Sequence, residues 1–533
     1  MTQPKTAAPW VDVCALDVIP RNTGVCARVD GLPIAVFRVG PDDRLYALSN
    51  IDPATGVSVL SRGIVGDVQG EKVVASPLYK QHYSLATGRC LEDGELYVSA
   101  YPVRVQAGRV QVSAEPLRTY VSTPRPREEK LRLVLVGNGL AGMRTLEDLL
   151  DMAPDLYRIE VFGAEPYGNY NRILLSPVLS GEKSFEDIVL HPPKWYAERG
   201  IRLHTGDPVV RIDRHKKQVV TASGHITPYD RLILATGSRP FVPPISGATL
   251  PGVVSFRDLS DVHQMIRASE HYRNAVVIGG GLLGLEAAHG LQRRGMQVTV
   301  VHLADRLMER QLDARAAELL RQTLEQRGLR ILTQTSTRAI LGHERVEAIE
   351  LASGEKIEAD LVVMATGIRP NIELAQAANL YCERGIVVND TLQTFDPSIY
   401  AVGECIQHRG QVFGLVEPIW GQAFVCAAQL AEQGRLRYQP TTTATQLKVS
   451  GVDVFSAGDL SGGEGVEDIV LNDERRRVYK RLLLQNDHLI GAVLYGDVQD
   501  GPWYAELIAG RTPVGSLRQK LMFGRDFALK SVS

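Results

Sequence analysis

Two stretches of the chain share a pattern of apolar and small residues that predicts a strand, a tight turn and a helix. In the first, LRLVLV at 131–136 is almost wholly apolar, which is typical of a strand buried on both faces. GNGLAG follows at 137–142, and MRTLEDLLDM then continues with helical spacing. The same order recurs in NAVVIGGGLLGLEAAHGL, which begins at Asn274. The repetition predicts two Rossmann-like α/β units, whereas a single glycine string also occurs in ordinary α/β folds.

Both turns have the residues that binding a dinucleotide pyrophosphate requires. The first glycine allows the turn, the second lets the backbone approach the pyrophosphate, and the third lets the helix pack against the strand. The helix N-terminus then presents unpaired N–H groups to the anion. The candidate contacts are Gly137, Gly139, Leu140, Ala141 and Gly142 in the first turn, and Gly279, Gly281, Leu282, Leu283 and Gly284 in the second.

The chain before these units has a different pattern. Residues 10–113 contain short apolar runs between turns, with little helical periodicity: GVCARVD, LPIAVFRV, LYALSN, KVVASP and GRVQVSA. This predicts a small antiparallel β domain at 1–114. Residues 115–130, EPLRTYVSTPRPREEK, combine three prolines with a cluster of charges. They are predicted to form a semi-rigid linker.

Two fragments of the β domain, LYALSNIDPATG and VVASPLYKQHYSLATGRCL, resemble the cluster-binding loops of Rieske ferredoxin-type domains. In that family a Cys-x-His and a Cys-x-x-His pair hold a two-iron cluster. The four places are occupied here by Asp52, Ala54, Ser76 and Tyr79, which offer neither thiolate nor imidazole. The resemblance therefore implies a Rieske fold without a cluster, as in the small subunit of NAD(P)H nitrite reductases. We expect no metal in this chain and a docking or structural role for the module.

The surroundings of the first glycine turn resemble those of pyridine-nucleotide-dependent flavoprotein reductases. YRIEVFGAEP ends at Glu165, whose carboxylate suits a ribose diol. PYGNYNRILLSPVLSGE is similar to the segment beside the flavin ring, which implies that Asn171 and Arg172 contact FAD. Relatives of the ferredoxin-reductase type often have Lys where Pro177 stands. How this chain controls the electronic properties of the flavin therefore stays open. The other FAD contacts that the resemblance implies are Val209, Ala235, Thr236, Gly237, Gly403 and Glu404.

The order of domains in this superfamily implies FAD at the first turn and a nicotinamide dinucleotide at the second. For hydride transfer between two cofactors, the protein has to orient the cofactors and supply the electrostatic environment, and it needs no acid–base residue. Glu286 is expected either near the nicotinamide or as an ordinary helical Glu. The remaining NAD(P) contacts that we expect are His302, Arg306, Ala365, Thr366 and Gly367.

The end of the second strand bears on the choice between NADH and NADPH. NADH enzymes typically have Glu where His302 stands, and a carboxylate there would repel a 2′-phosphate. Arg306 could supply a positive charge that favours the 2′-phosphate of NADPH, whereas the negative charge of Asp305 disfavours it. The choice stays open, with a slight preference for NADH.

Composition and cysteine usage narrow the function class. The 533 residues are 44% hydrophobic and 23% charged, which suits several soluble domains, and the net charge of −2 favours neither nucleic acid nor a membrane surface as partner. No apolar run reaches transmembrane length and the N-terminus lacks a signal-peptide pattern, so we expect a cytoplasmic protein.

No cysteine lies between Cys90 and Cys382, which excludes disulfide-reductase and cysteine-peroxidase chemistry at their usual place. Cys405 is expected to be a buried, inert thiol.

The last part of the chain, residues 438–533, predicts a small α+β domain. TQLKVSGVDVFSAGD and VYKRLLLQNDHLIGAVLYGD alternate like strands, and SLRQKLMFGRDFA begins like a helix. The region resembles the interface domain of nitrite reductase large subunits, in which a cysteine-rich segment and a sirohaem and four-iron domain follow. The sequence contains none of those cysteine motifs, so we expect the terminal chemistry on another protein.

Together these patterns predict a multidomain protein. An all-β Rieske-like domain precedes two interleaved three-layer α/β domains, the FAD domain at 131–252 plus 375–437 and the NAD(P) domain at 253–374, and the α+β interface domain follows. The implied function is an FAD-dependent NAD(P)H oxidoreductase that serves a separate sirohaem nitrite reductase or molybdenum nitrate reductase subunit. The alternatives are a stand-alone ferredoxin or rubredoxin reductase or NADH oxidase, and a non-catalytic dinucleotide-binding regulator. A homodimer is left open.

Overall fold

The computed structural model describes residues 10–54, 56–68, 70–78, 80–93, 96–117, 130–432, 436–440, 444–449 (backbone only) and 451–529. Tyr79 and most of the predicted linker lie outside these ranges. Within them, an all-β module, two nucleotide-binding units and an α+β domain follow one another, so the predicted fold class is confirmed. None of the helices in these ranges has both the length and the apolar character that crossing a membrane requires.

The N-terminal module is built from short antiparallel strands. They are β1 (Trp10–Ala15), β2 (Thr23–Val29), β3 (Leu32–Val39), β4 (Arg44–Ser49), β5 (Ile51–Asp52), β6 (Val57–Ser58), β7 (Ile64–Val68), β8 (Glu71–Ala75), β9 (His82–Ser84), β10 (Ala100–Tyr101), β11 (Val103–Gln106) and β12 (Arg109–Ser113). The sheets have the orders β10-β4-β3-β2, β1-β12-β11, β7-β8-β9 and β5-β6. Successive side chains of β3 point to opposite faces, so Ile34 and Val36 enter one apolar core whereas Ala35 and Phe37 enter another.

The first nucleotide-binding unit begins with the apolar run at 131. Its elements are β13 (Leu131–Val136), α1 (Leu140–Met152), β14 (Tyr157–Gly163), β15 (Asn169–Tyr170), α2 (Leu175–Ser180), β16 (Val189–His191), α3 (Pro193–Glu198), β17 (Arg202–Thr205), β18 (Val209–Asp213), β19 (Gln218–Thr221), β20 (Ile226–Pro228), β21 (Arg231–Leu234) and β22 (Ser238–Pro240). The strand predicted to end at Glu165 ends at Gly163, because the chain bends at 164–167 and places Glu165 beyond the sheet.

The second unit occupies the middle of the chain. Its elements are β23 (Val253–Ser255), α4 (Leu259–His271), β24 (Asn274–Ile278), α5 (Leu282–Arg293), β25 (Gln297–Val301), α6 (Ala314–Gln326), β26 (Arg330–Leu332), β27 (Thr337–Gly342), β28 (Val346–Leu351), β29 (Lys356–Glu358) and β30 (Leu361–Met364). Five strands form a parallel sheet of order β23-β30-β24-β25-β26. The open order, with crossover helices between strands, is that of a doubly wound nucleotide-binding fold.

The chain then returns to the first unit. The returning elements are β31 (Ile368–Pro370), α7 (Glu373–Ala377), β32 (Ile386–Val388), β33 (Ile399–Ala401), β34 (Ile406–His408), β35 (Gln411–Val412) and α8 (Glu417–Leu430). Strand β33 completes the parallel sheet β17-β14-β13-β21-β33. The two crossing strands, β22 and β31, pair antiparallel. The two units are therefore interleaved in sequence and joined by paired strands.

The C-terminal domain is an antiparallel sheet with helices on it. Its elements are β36 (Ala444–Val449), β37 (Val452–Gly458), β38 (Glu467–Asp473), β39 (Val478–Gln485), β40 (His488–Tyr495), α9 (Gly501–Ala509) and α10 (Arg525–Leu529). The sheet order is β36-β37-β40-β39-β38. The prediction that SLRQKLMFGRDFA begins as a helix is wrong: residues 515–520 form turns, Leu521–Phe523 is a 3₁₀ helix, and α10 starts only at Arg525.

The module and the C-terminal domain contact different parts of the reductase units. At the end of α8, Arg28 Nη1 donates to the Ala431 carbonyl at 3.3 Å and Cys26 Sγ to the Glu432 carbonyl at 3.6 Å. The last carbonyls of a helix have no partner within it, so β2 of the module supplies donors that this helix end needs. The C-terminal domain packs on α6, where the hydroxyls of Tyr495 and Thr323 lie 2.8 Å apart.

Candidate nucleotide-binding cleft

A cleft of about 1770 Å³ lies at the carboxyl ends of the first parallel sheet and extends to α5 of the second unit. Its volume exceeds the ~300–1,000 Å³ of ordinary small-molecule pockets, so an extended dinucleotide fits. Among the residues expected to bind cofactors, its lining includes Gly137, Gly139, Leu140, Ala141, Glu165, Arg172, Val209, Ala235, Thr236, Gly237, Gly403 and Glu404 from the first unit, and Leu282, Leu283 and Glu286 from the second.

The first glycine turn has the backbone geometry that a pyrophosphate cradle requires. Gly137 has a φ of +112°, and a Cβ there would collide with the carbonyl of Ala235. Gly139 is the N-cap of α1, and a Cβ on it would meet no atom within 4 Å. Gly142 lies under the turn, where a Cβ would stand 2.7 Å from the Gly137 carbonyl oxygen. The open space at Gly139 and the free N–H groups of α1 fit a bound pyrophosphate.

Glu165 is held at the edge of the cleft by two partners. The hydroxyl of Tyr170 donates to Glu165 Oε2 at 2.6 Å, and Arg172 forms an ion pair with Glu165 Oε1. These two partners hold the carboxylate in the cleft wall beyond the end of β14, and its remaining lone pairs can accept hydrogen bonds from a hydroxyl group. Asn171 lies outside the cleft lining. Its Oδ1 accepts from the N–H of Ile173 at 3.1 Å and so caps the short helix that Arg172 begins.

Glu404 has an arginine partner that the sequence pattern did not reveal. Arg257 Nη2 forms an ion pair with Glu404 Oε2, and Ser238 Oγ donates to the same oxygen at 2.7 Å. Arg257 itself is fixed because its backbone N–H donates to Asp261 Oδ2 at 2.7 Å. A sequence signal does exist, since Asp258 and Asp261 form a capping box and thereby locate Arg257 immediately before the N-cap of α4.

The thiol beside Glu404 is buried and protonated. Cys405 has no exposed surface, and its Sγ donates to the Val402 carbonyl at 3.3 Å. Burial raises the pKa of the thiol, so Cys405 is not a thiolate nucleophile at neutral pH. The two Ala-Thr-Gly turns form part of the connection between the units, since Thr236 Oγ1 donates to the Asn371 carbonyl at 2.8 Å and Thr366 Oγ1 donates to the Phe241 carbonyl.

Glu286 lies on α5 where this helix meets α2 of the first unit. Its carboxylate accepts a hydrogen bond from Ser176 Oγ. Burial raises the pKa of Glu286 to about 7, and the bond from Ser176 only partly opposes the shift. Ser176 and Pro177 also line the cleft. The carboxyl group thus faces a hydroxyl across the junction of the two units.

The second glycine turn repeats the geometry of the first. Gly279 has a φ of +126°, and a Cβ there would collide with the Ala365 carbonyl. A Cβ on Gly281, the N-cap of α5, would meet nothing within 4 Å. Gly284 packs beneath Gly279. The turn therefore has room for a second pyrophosphate. The residues of this unit that were expected to bind NAD(P) but lie outside the lining of the large cleft are Gly279, Gly281, Gly284, His302, Arg306, Ala365, Thr366 and Gly367.

Side chains after β25 close around this turn. His302 is buried, and its Nδ1 accepts from the N–H of Gly280 at 3.0 Å while its Nε2 lies 3.1 Å from Glu309 Oε2. Arg306 Nη1 lies 3.1 Å from both carboxylate oxygens of Asp305, and Arg306 Nε donates to the Leu312 carbonyl at 3.3 Å. Asp305 and Arg306, whose opposite charges would favour different dinucleotides, therefore form an ion pair with each other.

The Rieske ligand positions in the module hold a hydrogen-bonded pair. Asp52 and Ser76 are both fully buried, and Ser76 Oγ donates to Asp52 Oδ2 across the two loops. The N–H of Ala54 donates to Asp52 Oδ1 at 2.9 Å. The carboxylate therefore takes its hydrogen bonds within the loops, and these three residues supply neither thiolate nor imidazole for iron. The fourth position, Tyr79, lies outside the described residues.

Comparison with known proteins agrees with this architecture. Residues 131–429 match the model of the pyridine nucleotide-disulphide oxidoreductase family, residues 9–113 that of the Rieske-like 2Fe–2S domain, and residues 444–512 that of the rubredoxin NAD⁺ reductase C-terminal domain. The solved structure of the covalent putidaredoxin reductase–putidaredoxin complex is 28% identical, with a TM-score of 0.66, and the match covers 72% of this chain and 94% of that one.

Two curated relatives come from Bacillus subtilis (strain 168). A nitrite reductase (NAD(P)H) is 50% identical over 372 residues, which are 70% of this chain and 46% of that protein. An assimilatory nitrate reductase electron transfer subunit is 45% identical over 372 residues, which are 70% of this chain and 48% of that protein. The match spans less than half the length of either relative.

Proposed function

Because the chain belongs to the pyridine nucleotide-disulphide oxidoreductase family, we propose that it carries electrons from NAD(P)H through FAD to a separate metal-bearing nitrite or nitrate reductase. The observation that supports this most directly is the large cleft, whose wall includes both the first glycine turn and residues of α5 from the second unit. FAD and NAD(P)H bound to these two units would approach each other there.

When bound, FAD would supply two-electron transfer between the nicotinamide and an acceptor. The first glycine turn and α1 bind the pyrophosphate, Glu165 accepts from the ribose, and Glu404 with Arg257 orients the remainder of FAD. Leu282 and Leu283 border the cleft at the start of α5 and help to exclude water, and Glu286 holds a proton between the units. The division into 131–252 plus 375–437 for FAD and 253–374 for NAD(P) is part of the proposal.

Cys405 does not relay electrons as a thiolate, because its side chain is buried and the pKa of its thiol is raised. The proposal therefore places the acceptor on another molecule. The relative named as an assimilatory nitrate reductase electron transfer subunit supports a catalytic partner on a different polypeptide. We propose a sirohaem and iron–sulfur nitrite reductase or a molybdenum nitrate reductase as this partner, in the cytoplasm, and homodimerisation remains an additional proposal.

The test is anaerobic reduction of the purified, metal-analysed full chain. We expect a yellow protein whose flavin absorbance bleaches with NADH or NADPH, and nitrite consumption only after a sirohaem protein is added. As a control, Gly137→Ala should lose the flavin, because a Cβ at this position collides with the Ala235 carbonyl. Nitrite turnover by the iron-free chain alone would contradict the division of labour. Rapid NADH oxidation in air without any partner would favour an oxidase.

A further inference from the structure

The place where an NADH-binding unit usually presents a carboxylate is occupied by His302, which is only 8% exposed. Its Nδ1 accepts the Gly280 N–H at 3.0 Å, so the proton of the neutral ring resides on Nε2. That N–H then donates to Glu309 Oε2, 3.1 Å away. Both ring nitrogens are engaged, and His302 has no acceptor left for a ribose hydroxyl.

The segment that carries Glu309 is fastened to the same glycine turn. The N–H of Met308 donates to the Gly280 carbonyl at 3.0 Å, and the side chains of Leu307 and Met308 are buried. The His302 backbone is fixed as well, since its N–H donates to the Leu332 carbonyl at 2.8 Å. Glu309 therefore stands beside the turn at the carboxyl end of β25, with its side chain 37% exposed.

We infer that Glu309, positioned by His302, accepts the 2′-hydroxyl of the adenosine ribose and thereby makes the second unit selective for NADH over NADPH. The inference rests on the proposed function, because it requires the second glycine turn to bind a nicotinamide dinucleotide. A carboxylate in this place accepts from a ribose diol and repels a 2′-phosphate. His302 takes over the contact with the glycine turn, and Glu309 supplies the negative charge.

The neighbouring cations do not oppose this assignment. Arg306 is neutralised, because its guanidinium pairs with Asp305 and donates to the Leu312 carbonyl. Arg310 is exposed and has no ion pair with any described residue. While Glu309 is ionised, its charge balances that of Arg310 on the adjacent position. Removal of the Glu309 charge would leave Arg310, the next residue along the chain, without an adjacent opposite charge, which would favour a 2′-phosphate.

The test measures NAD⁺ and NADP⁺ binding to the oxidised holoprotein by calorimetry, which requires no turnover. A hydrogen bond to a charged group corresponds to about 10- to 100-fold in affinity. We expect the wild type to bind NAD⁺ at least tenfold more tightly than NADP⁺. Glu309→Gln should remove most of this preference, and Glu309→Lys should reverse it. Glu344→Gln, an exposed acid in the turn between β27 and β28, is the matched control and should keep the wild-type ratio.

The positioning role of His302 is tested with the same measurement, the ratio of the NAD⁺ and NADP⁺ affinities. His302→Ala should lower the NAD⁺ to NADP⁺ preference, whereas a purely structural defect would weaken both ligands together. Equal affinities in the wild type, or an unchanged preference in Glu309→Gln, would overturn the inference while leaving the proposed function intact. Failure of the wild type to bind either dinucleotide would overturn the proposed function as well.

Discussion

Glu286 provides the sharpest quantitative test of the cleft, through the substitution Glu286→Gln. Burial raises the pKa of this carboxyl group from 4.5 to about 7. The difference is about 2.5 units, and at about 1.4 kcal/mol per unit it corresponds to at most about 3 kcal/mol. Because the pKa is raised in the folded state, the associated stability is fully present below pH 4.5. It is lost as the pH rises from 4.5 through 7, when the partly buried group must ionise.

Glutamine has the shape of protonated glutamic acid and can still accept the hydrogen bond from Ser176. The variant should therefore match the wild type near pH 5 and should be more stable above pH 8, by up to about 3 kcal/mol. For a unit of this size each kcal/mol corresponds to ~2–4 °C in Tm, so a gain of about 5 °C or more is expected. The assay is thermal and urea unfolding of the flavin-loaded protein from pH 5 to pH 9.

The control is Glu270→Gln, which changes an exposed acid on α4. Its Tm difference from the wild type should stay small and should not vary with pH. If the Glu286→Gln difference were the same at pH 5 and pH 9, burial of an ionisable group between the two units would be refuted. A variant that becomes less stable at high pH would refute the sign of the argument.

Three further changes test other parts of the molecule. Ser76→Ala removes the donor to buried Asp52 and should destabilise the module by about 1–3 kcal/mol, measured by urea unfolding, whereas Ser461→Ala in an exposed turn should have little effect. Arg257→Met leaves the Glu404 carboxylate without its cation and should lower the ratio of bound flavin to protein in absorbance spectra. Arg330→Met, which likewise removes the cation of a carboxylate, Glu355, but lies outside the cleft lining, should retain the flavin. Cys405→Ala should keep the rate of flavin reduction by NADH within about twofold, since the protonated thiol takes no part; a large loss would restore a role for the sulfur.

The fold class and both glycine turns could be predicted because their determinants are local. A buried strand, a glycine with positive φ and an amphipathic helix are encoded within about twenty consecutive residues. The helix predicted at the start of the C-terminal segment is wrong for the same reason: the spacing of Leu517 and Leu521 is helical, yet both reach the domain core from turns and a 3₁₀ helix. The local pattern is shared by both conformations, so sequence spacing alone does not distinguish them.

The partners of the charged residues could not be predicted from spacing. Arg257 and Glu404 are 147 residues apart, and Ser176 and Glu286 are 110 apart, so only the folded chain brings them together. The sequence indicates that His302 is an unusual strand end, but only the structure shows that its contact with Gly280 fixes the ring tautomer and turns the other nitrogen toward Glu309. That consequence depends on hydrogen-bond geometry, which the pattern of residue types does not contain.

The contact between the module and α8 has an evolutionary consequence. Arg28 and Cys26 donate to the main-chain carbonyls of Ala431 and Glu432, which every amino acid possesses. These two bonds therefore do not depend on which side chains stand at 431 and 432, whereas they do depend on the donors on β2. The side chains at 431 and 432 are restricted for other reasons, because Ala431 is buried in the core of the first unit and Glu432 has a positive φ. An alignment of chains with this architecture should therefore show no co-variation between the β2 donors and positions 431 and 432. A contact map derived from correlated substitutions would then miss these two contacts, although they are physically present.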